Sequence, residues 1–446
     1  MKEDKENLMG LAEDLVNFGR KNGADEIEVS IIQGYEFNVN VRLGEIENLV
    51  EASSKKLFIR IIKNKKVALV KSEDFSKETL ERLILNTIKR AEFGNPDEFA
   101  CLPKRQKLKI DISSLNLYDP QISELSTKKK IGLAMETERI ALMDKRITNS
   151  HGASFNTNKV KRILINSNGF SGQYIETNYS LSIGLQAGET DARVEGYWYC
   201  ARRHLRELET PEEIAKKAVE RTVRQLGAKK IKTQNVPVVL EPNMTSELLA
   251  FLFTCVSGIS IYQKASFLAD KLGEKIGNDL ITIIDDGLMP GKLGTRPFDS
   301  EGVPTQKTIV IKKGVLESYL CNTYAARKLK LKSTGNCSGK GVGPNNFYLM
   351  PDKYSPEEII KSVDKGLLLI RTIGHGLNPV TGDISRGAFG LWIEKGEIVY
   401  PVSEITISGN LSKILNQIEM VGNDLDFRSR CAGPTIKIGE MTISGI

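Results

Sequence analysis

Apolar and polar positions along the first 95 residues follow helical and strand periods in turn. Apolar residues spaced three and four apart predict helices, and strict alternation predicts strands with one buried face. The predicted elements are, in order, a helix from Leu8 to Asn22-Gly23, strands over 27–31 and 35–43, a hairpin over 57–70 that turns at 63–66, and a helix capped by Ser76. This pattern predicts an α+β module with an antiparallel sheet.

A second set of elements begins after residues 95–119, which have no clear period and contain several prolines. The elements predicted there are a helix opened by Ser126, strands near 162–167 and 174–185 joined at Asn168-Gly169, and a helix that starts with the capping box Thr210-Pro211-x-Glu213 and stops at Gly227. Residues 229–235 are the expected hinge to the remainder.

The last region is predicted to be mostly strand. Its predicted elements are a strand and apolar helix over 238–258, hairpins over 308–319 and 388–401 that turn at Lys313-Gly314 and Lys395-Gly396, and a helix opened by Ser355-Pro356-x-Glu358. The predicted fold class is therefore α+β, with N-terminal α+β modules and a mostly-β C-terminal domain. The expected domains are residues 1–95, 120–228 and 236–446.

Composition is that of an ordinary globular protein, with 40% hydrophobic and 27% charged residues. The N-terminus shows no apolar segment of a secretory signal. The longest apolar stretch, 248–256, is far short of the ~20 residues of a membrane span. Six cysteines lie apart without a C-x-x-C pair. We therefore expect a cytoplasmic protein with free thiols and no membrane segment.

The net charge of +7 comes from short lysine-rich runs. No aromatic residues are interleaved with these runs, and no helix-turn-helix or zinc-finger spacing occurs. Nucleic acid is therefore not an expected partner.

Several motifs in fixed order distinguish the C-terminal half. They are the strand and helix V-V-L-E-P-N-M-T-S-E-L-L-A-F-L-F-T-C-V-S-G from Val238, L-G-E-K-I from Leu272, D-D-G from Asp285, E-G-V-P-T-Q from Glu301, T-G-D-I-S-R-G-A from Thr381, P-V-S-E-I-T-I-S-G-N-L from Pro401 and V-G-N-D-L from Val421. This order resembles the TldD/PmbA family. That family pairs a subunit whose helix carries H-E-x-x-x-H with a related subunit of the PmbA (TldE) type that lacks the motif.

The resemblance places Ala250, Phe251 and Cys255 where the family's first zinc histidine, general-base glutamate and second histidine stand. The family's third zinc ligand, a cysteine after V-G-N-D-L, corresponds to Cys431 of this chain. Alanine and phenylalanine cannot ligate a metal, and catalytic zinc needs about three protein ligands. We therefore expect no catalytic residue, cofactor or metal in this chain, with zinc in the partner. Cys255 and Cys431 could approach each other, and both are expected to pack as small apolar groups.

The histidines do not offer another metal site, because the only three, His151, His204 and His375, lie in separate regions. His375 is expected to be a hydrogen-bonded loop residue.

Two further groups could carry chemistry. Four carboxylates, Asp285, Asp286, Asp299 and Glu301, could share a proton for hydrolysis, but D-D-G and D-S-E-G are also favourable turn sequences, and we expect turns. Residues 335–339 read G-N-C-S-G, which has the shape of a nucleophile elbow. Pro344 follows instead of a helix, so we expect a glycine-rich loop.

The resemblance implies a non-catalytic subunit of a heterodimeric zinc peptidase that acts on unfolded or flexible peptides, with a TldD-type partner that bears the zinc. A homodimer could form when the partner is absent. The alternative is a binding protein that modulates DNA gyrase or another toxin target, as an older family name suggests. A third hypothesis is a self-sufficient carboxylate or thiol hydrolase.

Overall fold

A six-stranded antiparallel sheet forms the N-terminal half of the computed structural model, which describes residues 7–446. The strand order is β3-β2-β1-β4-β5-β6. The strands are β1 (Glu26–Arg42), β2 (Glu45–Lys63), β3 (Lys66–Ser72), β4 (Ile147–Asn166), β5 (Ser171–Ala187) and β6 (Val194–Arg202).

Four helices cover one face of this sheet. They are α1 (Leu8–Lys21), α2 (Lys77–Ala91), α3 (Thr127–Ala141) and α4 (Pro211–Val223). The two segments predicted over 27–31 and 35–43 form one continuous strand, and its odd-numbered apolar residues lie under the helices. The first part of β1 packs with α1 and α2, and its last part packs with α3 and α4.

The predicted helix starts are found, with one correction. The capping boxes at Thr210 and Ser355 are both formed, and Ser126 accepts a hydrogen bond from the Lys129 amide. Ser76 stands at the N-cap of α2, but its side chain makes no capping bond. Instead, Asp74 accepts a hydrogen bond from the Ser76 amide at 2.8 Å.

The strands of the first two predicted domains belong to the same sheet. Residues 28–41 of β1 pair with residues 153–166 of β4 in unbroken antiparallel register. Backbone hydrogen bonding therefore joins the two segments, while their boundaries at 95 and 120 remain a prediction.

The C-terminal half contains a ring of strands and a second sheet. The strands of the ring follow the order β14-β7-β20-β17-β16, and the ring is closed because β14 pairs with β16 as well as with β7. The second sheet has the order β10-β9-β8-β13-β19. The strands are β7 (Gln234–Leu240), β8 (Ile283–Asp286), β9 (Lys307–Lys312), β10 (Val315–Leu316), β11 (Cys337–Ser338), β12 (Gly341–Val342), β13 (Asn346–Leu349), β14 (Lys365–Ile373), β15 (Leu377–Asn378), β16 (Asp383–Glu394), β17 (Glu397–Asn410), β18 (Ile418–Val421), β19 (Cys431–Ala432) and β20 (Ile436–Ser444).

Both predicted hairpins of this half are present. Lys313-Gly314 and Lys395-Gly396 each have positive φ at both residues, the geometry that two-residue hairpin turns need. Five helices complete the half: α5 (Pro242–Val256), α6 (Gly258–Tyr262), α7 (Thr323–Lys328), α8 (Pro356–Lys361) and α9 (Leu411–Asn416). No helix within residues 7–446 combines the length and apolar character that crossing a bilayer requires.

Arg203 joins the two halves at the end of the large sheet. Its buried guanidinium donates to the carbonyls of Lys292, Leu293 and Thr295 and to the Glu176 carboxylate. The sheet face opposite the four helices is thereby held against C-terminal loops, and a cavity remains between them.

Candidate functional site: a helix cleft and an interdomain cavity

Helix α5 follows β7 directly and is anchored at both ends. Glu241 stands at its N-cap without capping it; its carboxylate instead forms ion pairs with Arg221 and Arg224 of the preceding domain, at 2.8 and 2.7 Å. Near its end, Phe253 packs edge to face on Phe347 of β13, with ring centroids 5.4 Å apart.

An open cleft of about 200 Å³ runs along the exposed side of α5. It is lined by residues of β6, α5 and the segment before β19: Tyr197, Tyr199, Pro242, Asn243, Ser246, Glu247, Ala250, Asp426, Arg428, Ser429 and Cys431. We call this the α5 cleft. It contains Ala250 and Cys431, two of the residues that the sequence comparison singled out.

The carboxylates of the α5 cleft already have partners. Asp426 accepts from Arg202 at 2.9 Å and from Arg428 at 2.8 Å. Burial works to raise the pKa of Asp426, but these two guanidinium groups outweigh it and the net shift is downward. Glu247 accepts from Thr372 and Arg386 at 2.9 and 2.8 Å. Asp426 is thus held ionised and is poorly suited to act as a general acid.

The three α5 positions point in different directions. Ala250 is exposed in the cleft, Phe251 is 5% exposed and borders a small apolar pocket, and Cys255 is fully buried in the C-terminal core. Five residues along a helix correspond to a rotation of about 500°, so Ala250 and Cys255 project about 140° apart. Cys431 packs against the same core as Cys255, but only Cys431 lines the cleft.

These residues do not fit a catalytic zinc ion. Ala250 and Phe251 carry no donor atom, and zinc binds cysteine as the thiolate. Burial raises the pKa of Cys255 to about 12. The pKa of Cys431 is also raised to about 12, chiefly by burial and further by Asp285. Within residues 7–446, no three side chains of the His, Cys, Asp and Glu types are grouped to hold a metal.

The three histidines lie in different elements of the fold, and none lines the α5 cleft. His151 of β4 is exposed, 3.5 Å from Glu195. His204 is buried, with Nε2 2.9 Å from the Asn116 carbonyl. His375 lies in the exposed loop after β14.

The carboxylates of D-D-G differ from each other. Asp286 accepts from the Leu288 amide, as the predicted turn requires. Both residues end β8, but the fully buried Asp285 accepts instead from the side chains of Asn336 and Asn345 at 2.8 and 2.9 Å. Burial raises its pKa to about 6. Asp285 therefore anchors two asparagines and has no carboxylate partner to share a proton with.

The D-S-E-G segment forms the predicted turn. Asp299 accepts from the amides of Glu301, Val303 and Cys337 at 2.9–3.0 Å. The same turn borders the cavity between the large sheet and the C-terminal half, which has a volume of about 850 Å³. We call this the interdomain cavity.

Asp299 and Glu301 meet Glu28 and Arg60 of the large sheet in this cavity. Glu301 accepts from Arg60 Nη1 at 3.2 Å, and Glu28 Oε1 lies 3.6 Å from Arg60 Nε. Burial raises the pKa of Glu28 to about 7 and that of Asp299 to about 7. Neighbouring carboxylates add to both shifts.

Cys337 of the G-N-C-S-G segment also lines the interdomain cavity. It lies in a short hairpin of β11 and β12, as expected of a glycine-rich loop and not of a nucleophile elbow. Burial and the adjacent carboxylates Glu301 and Asp299 raise its pKa well above the usual range. A protonated thiol beside acids is a poor nucleophile.

Sequence reasoning missed this convergence. Glu28 and Arg60 are cross-strand partners on the polar face of alternating strands, and Glu301 lies 241 residues beyond Arg60. An alternating strand predicts a solvated polar face, so only the three-dimensional fold reveals that C-terminal loops cover it.

Three family models describe parts of a PmbA/TldA metallopeptidase and match consecutive stretches of the chain. Domain 1 matches residues 27–91, the central domain residues 120–226 and the C-terminal domain residues 233–445. The first two stretches lie in the N-terminal half of the fold, and the third spans the C-terminal half.

Individual relatives match over nearly full length. Metalloprotease PmbA of Escherichia coli O157:H7 is 36% identical over 428 residues, which span 96% of this chain and 93% of that protein. A Bacteroides thetaiotaomicron crystal structure described as a modulator of DNA gyrase superimposes with a TM-score of 0.91 and 29% identity over the whole of both chains. TldE from Thermococcus kodakarensis superimposes with a TM-score of 0.84 and 26% identity over 98% of this chain and all of that one.

Proposed function

Because this chain belongs to the PmbA/TldA metallopeptidase family, we propose that it is the zinc-less subunit of a heterodimeric peptidase whose TldD-type partner holds the metal. Relatives named as metalloproteases place it in a proteolytic family. The proposal assigns this chain the role of completing the peptidase without performing the bond cleavage.

The composition of the α5 cleft carries the proposal. The exposed position 250 in the cleft is an alanine, the following residue is a buried phenylalanine, and both carboxylates of the cleft are paired with arginines. Hydrolysis by zinc needs an open coordination position and a base for the attacking water. This cleft provides neither, so the chemistry is assigned to the partner.

One edge of the large sheet supports association with a partner. Strand β2 pairs with β3 only over residues 57–63, so within the sheet residues 45–56 have a neighbour on one side alone. The tip of the hairpin formed by β1 and β2 exposes Leu43, Ile46, Leu49 and Val50, with exposed fractions of 38–60%. Open strand edges and grouped apolar side chains are features of interaction surfaces. We assign the partner to this edge.

The expected substrate is an unfolded or flexible peptide. Tyr197 and Tyr199 stack at 6.4 Å on the wall of the α5 cleft, with Asp426 and Arg428 beside them. Aromatic faces and a polar rim suit an extended chain of varied sequence, which they would hold next to the partner's zinc.

Co-expression with the zinc-bearing paralogue of the same organism tests the proposal. We expect one heterodimer by size-exclusion chromatography and light scattering, and cleavage of an unfolded peptide only by the pair. Replacement of the partner's two zinc histidines by alanine should abolish cleavage without dissociating the heterodimer. This variant is the matched control. Val50→Asp in this chain should weaken the pair, and Val67→Asp, equally exposed on β3, should not.

Two results contradict the proposal. One is cleavage by this chain alone at a rate comparable with the pair. The other is recovery of DNA gyrase from native lysate in the absence of any H-E-x-x-x-H protein, which would instead support the modulator hypothesis.

A further inference from the structure

The interdomain cavity has the size of a ligand site and mixed walls. Its volume of about 850 Å³ lies within the range of small-molecule pockets, roughly 300–1,000 Å³. Apolar wall is supplied by Ile32 and Phe58 of the large sheet and Phe298 of the covering loop. Charged side chains of both signs stand between them.

The end around Glu28 is acidic. Three carboxylates, Glu28, Asp299 and Glu301, surround one guanidinium, that of Arg60. Glu28 exposes 8% of its surface, and its Oε2 has no hydrogen-bond donor. A buried acceptor without a donor is uncommon in native proteins and indicates a missing partner.

The end around Arg162 is basic. Arg162 and the buried Arg203 share the single carboxylate of Glu176, while the guanidinium of Arg430 lines the same region without a hydrogen bond or an ion pair to any described residue. Arg296, on the covering loop, exposes 8% of its surface; its Nε donates to Asn345 and its Nη1 to the Cys337 carbonyl, while its Nη2 has no acceptor. Unpaired guanidinium donors are well suited to a carboxylate.

A metal ion does not explain the acidic end. Asp299 already accepts three backbone amides, and Glu301 is occupied by Arg60 and by the Thr323 amide. Arg60 in the middle of the cluster repels a divalent cation. A simple anion such as phosphate fits the basic end but leaves Glu28 unpartnered. The two ends together therefore require one ligand with both charges.

Sheet geometry sets the length of that ligand. Arg162 of β4 lies opposite Ile32, four residues along β1 from Glu28. Four residues of strand and one strand spacing place the two backbone positions about 14 Å apart. The charged groups of a free amino acid are too close together to reach both ends, whereas an extended chain of about three residues spans about 10 Å. The side chains of Glu28 and Arg162, which line the cavity, span the remaining distance.

From these contacts we infer that the interdomain cavity is a binding site for short zwitterionic peptides of about two to four residues. The peptide ammonium lies at Glu28 and Glu301, and the peptide carboxylate lies at Arg430, beside Arg162. The site is separate from the α5 cleft and does not depend on the proposed function, because it uses residues of this chain alone. Arg430 directly precedes Cys431 of the α5 cleft, so both sites contact the same segment.

Calorimetric titration of this chain alone with the tripeptide Ala-Leu-Ala tests the inference. The N-acetylated tripeptide and the tripeptide amide each lack one charge, and each is expected to bind about tenfold or more weakly, the loss typical of a charged hydrogen bond. Arg430→Ala should remove the preference for the free carboxylate, and Glu28→Gln the preference for the free ammonium. Arg146→Ala, an exposed arginine outside the cavity, is the matched control and should bind as the unaltered chain does.

Thermal unfolding of each variant establishes that it is folded. Arg430 is exposed, so its replacement remains informative if Glu28→Gln does not fold. Equal binding of the free, acetylated and amidated tripeptides would overturn the inference, as would binding of inorganic phosphate alone. Absence of binding at millimolar tripeptide would also overturn it.

Discussion

The α5 cleft and the interdomain cavity border the same short segment, Arg430-Cys431, yet they differ in how their polar groups are satisfied. In the cleft, Asp426 and Glu247 each have two donors and the exposed helix position is an alanine. In the cavity, Glu28, Arg60 and Arg296 all retain buried atoms without partners. Family resemblance directs attention to the cleft, whereas the cavity contains buried charged groups with unsatisfied atoms.

The comparison teaches that one scaffold can satisfy the polar groups of one site and leave those of another unsatisfied. Buried unpaired charges destabilise a fold unless something compensates for them. We therefore propose that a partner subunit supplies the chemistry at the cleft and that a ligand pairs the unsatisfied charged groups of the cavity. Four predictions sharpen or break that distinction.

The loop around Gly294, which forms the tight roof of the interdomain cavity, should be sensitive to added volume. A Cβ at Gly294 would lie 2.0 Å from the Asn345 carbonyl oxygen, a contact that only backbone movement can relieve. Gly294→Ala is expected to lower the free energy of unfolding by about 3 kcal/mol in urea denaturation, as overpacking does. Gly132→Ala in α3, where a Cβ meets nothing within 4 Å, should instead stabilise by up to about 1 kcal/mol. Equal effects of both would contradict the tight roof.

Stability should depend on pH through Glu28. Because burial raises its folded-state pKa to about 7 from an ordinary 4.5, its contribution is fully present below about pH 4.5 and is lost as the pH rises through 7. Glu28→Gln is expected to shrink the loss of unfolding free energy between pH 5 and pH 8 by on the order of 2 kcal/mol. Ser30→Ala, in the same cavity wall, should keep the original slope. Parallel profiles for Glu28→Gln and the unaltered chain would show that Glu28 is not buried as described.

The two cysteines should respond differently to a hydroxyl. Cys255 is fully buried among apolar residues, so Cys255→Ser is expected to cost about 2 kcal/mol for an unsatisfied polar group. Cys431 is half-buried at the cleft, and Cys431→Ser should cost less than about 1 kcal/mol. Thermal denaturation of the pair of variants checks this order. The reverse order would mean that Cys431, and not Cys255, belongs to the core.

The smallest effect is expected in the cleft itself. Ala250→His restores one imidazole on an exposed helix position, which should cost roughly 0.5 kcal/mol through helix propensity. Zinc content should not rise, because Glu247 and Asp426 are already paired with arginines and Cys431 would be the one unpaired ligand in the cleft, where about three are needed. Stoichiometric zinc in this single variant would show that the cleft is still organised for metal.

Local chemistry in the sequence was sufficient to predict many elements. The capping boxes at Thr210 and Ser355 and the hairpin turns at Lys313 and Lys395 form as expected, because they depend on residues within a few positions of each other. The family resemblance and the α+β class are confirmed as well. Local patterns could not show that the first two predicted domains share one sheet, since that depends on long-range pairing of β1 with β4.

The cavity lay beyond sequence reasoning for the same physical reason. Asp299 and Glu301 were recognised as turn residues, and the turn is present, but their meeting with Glu28 depends on which loop covers the polar face of the sheet. Arg296 and Arg430 belong to no motif. Their importance follows only from burial and missing partners, which are properties of the folded chain.

Metal analysis of this chain, purified alone and without chelator, tests the central claim most directly. A chain whose α5 positions are Ala250, Phe251 and Cys255 should contain far less than one zinc ion per molecule after dialysis and should show no peptidase activity. One tightly held zinc per chain, lost on replacement of Cys255 or Cys431 by serine, would contradict the account.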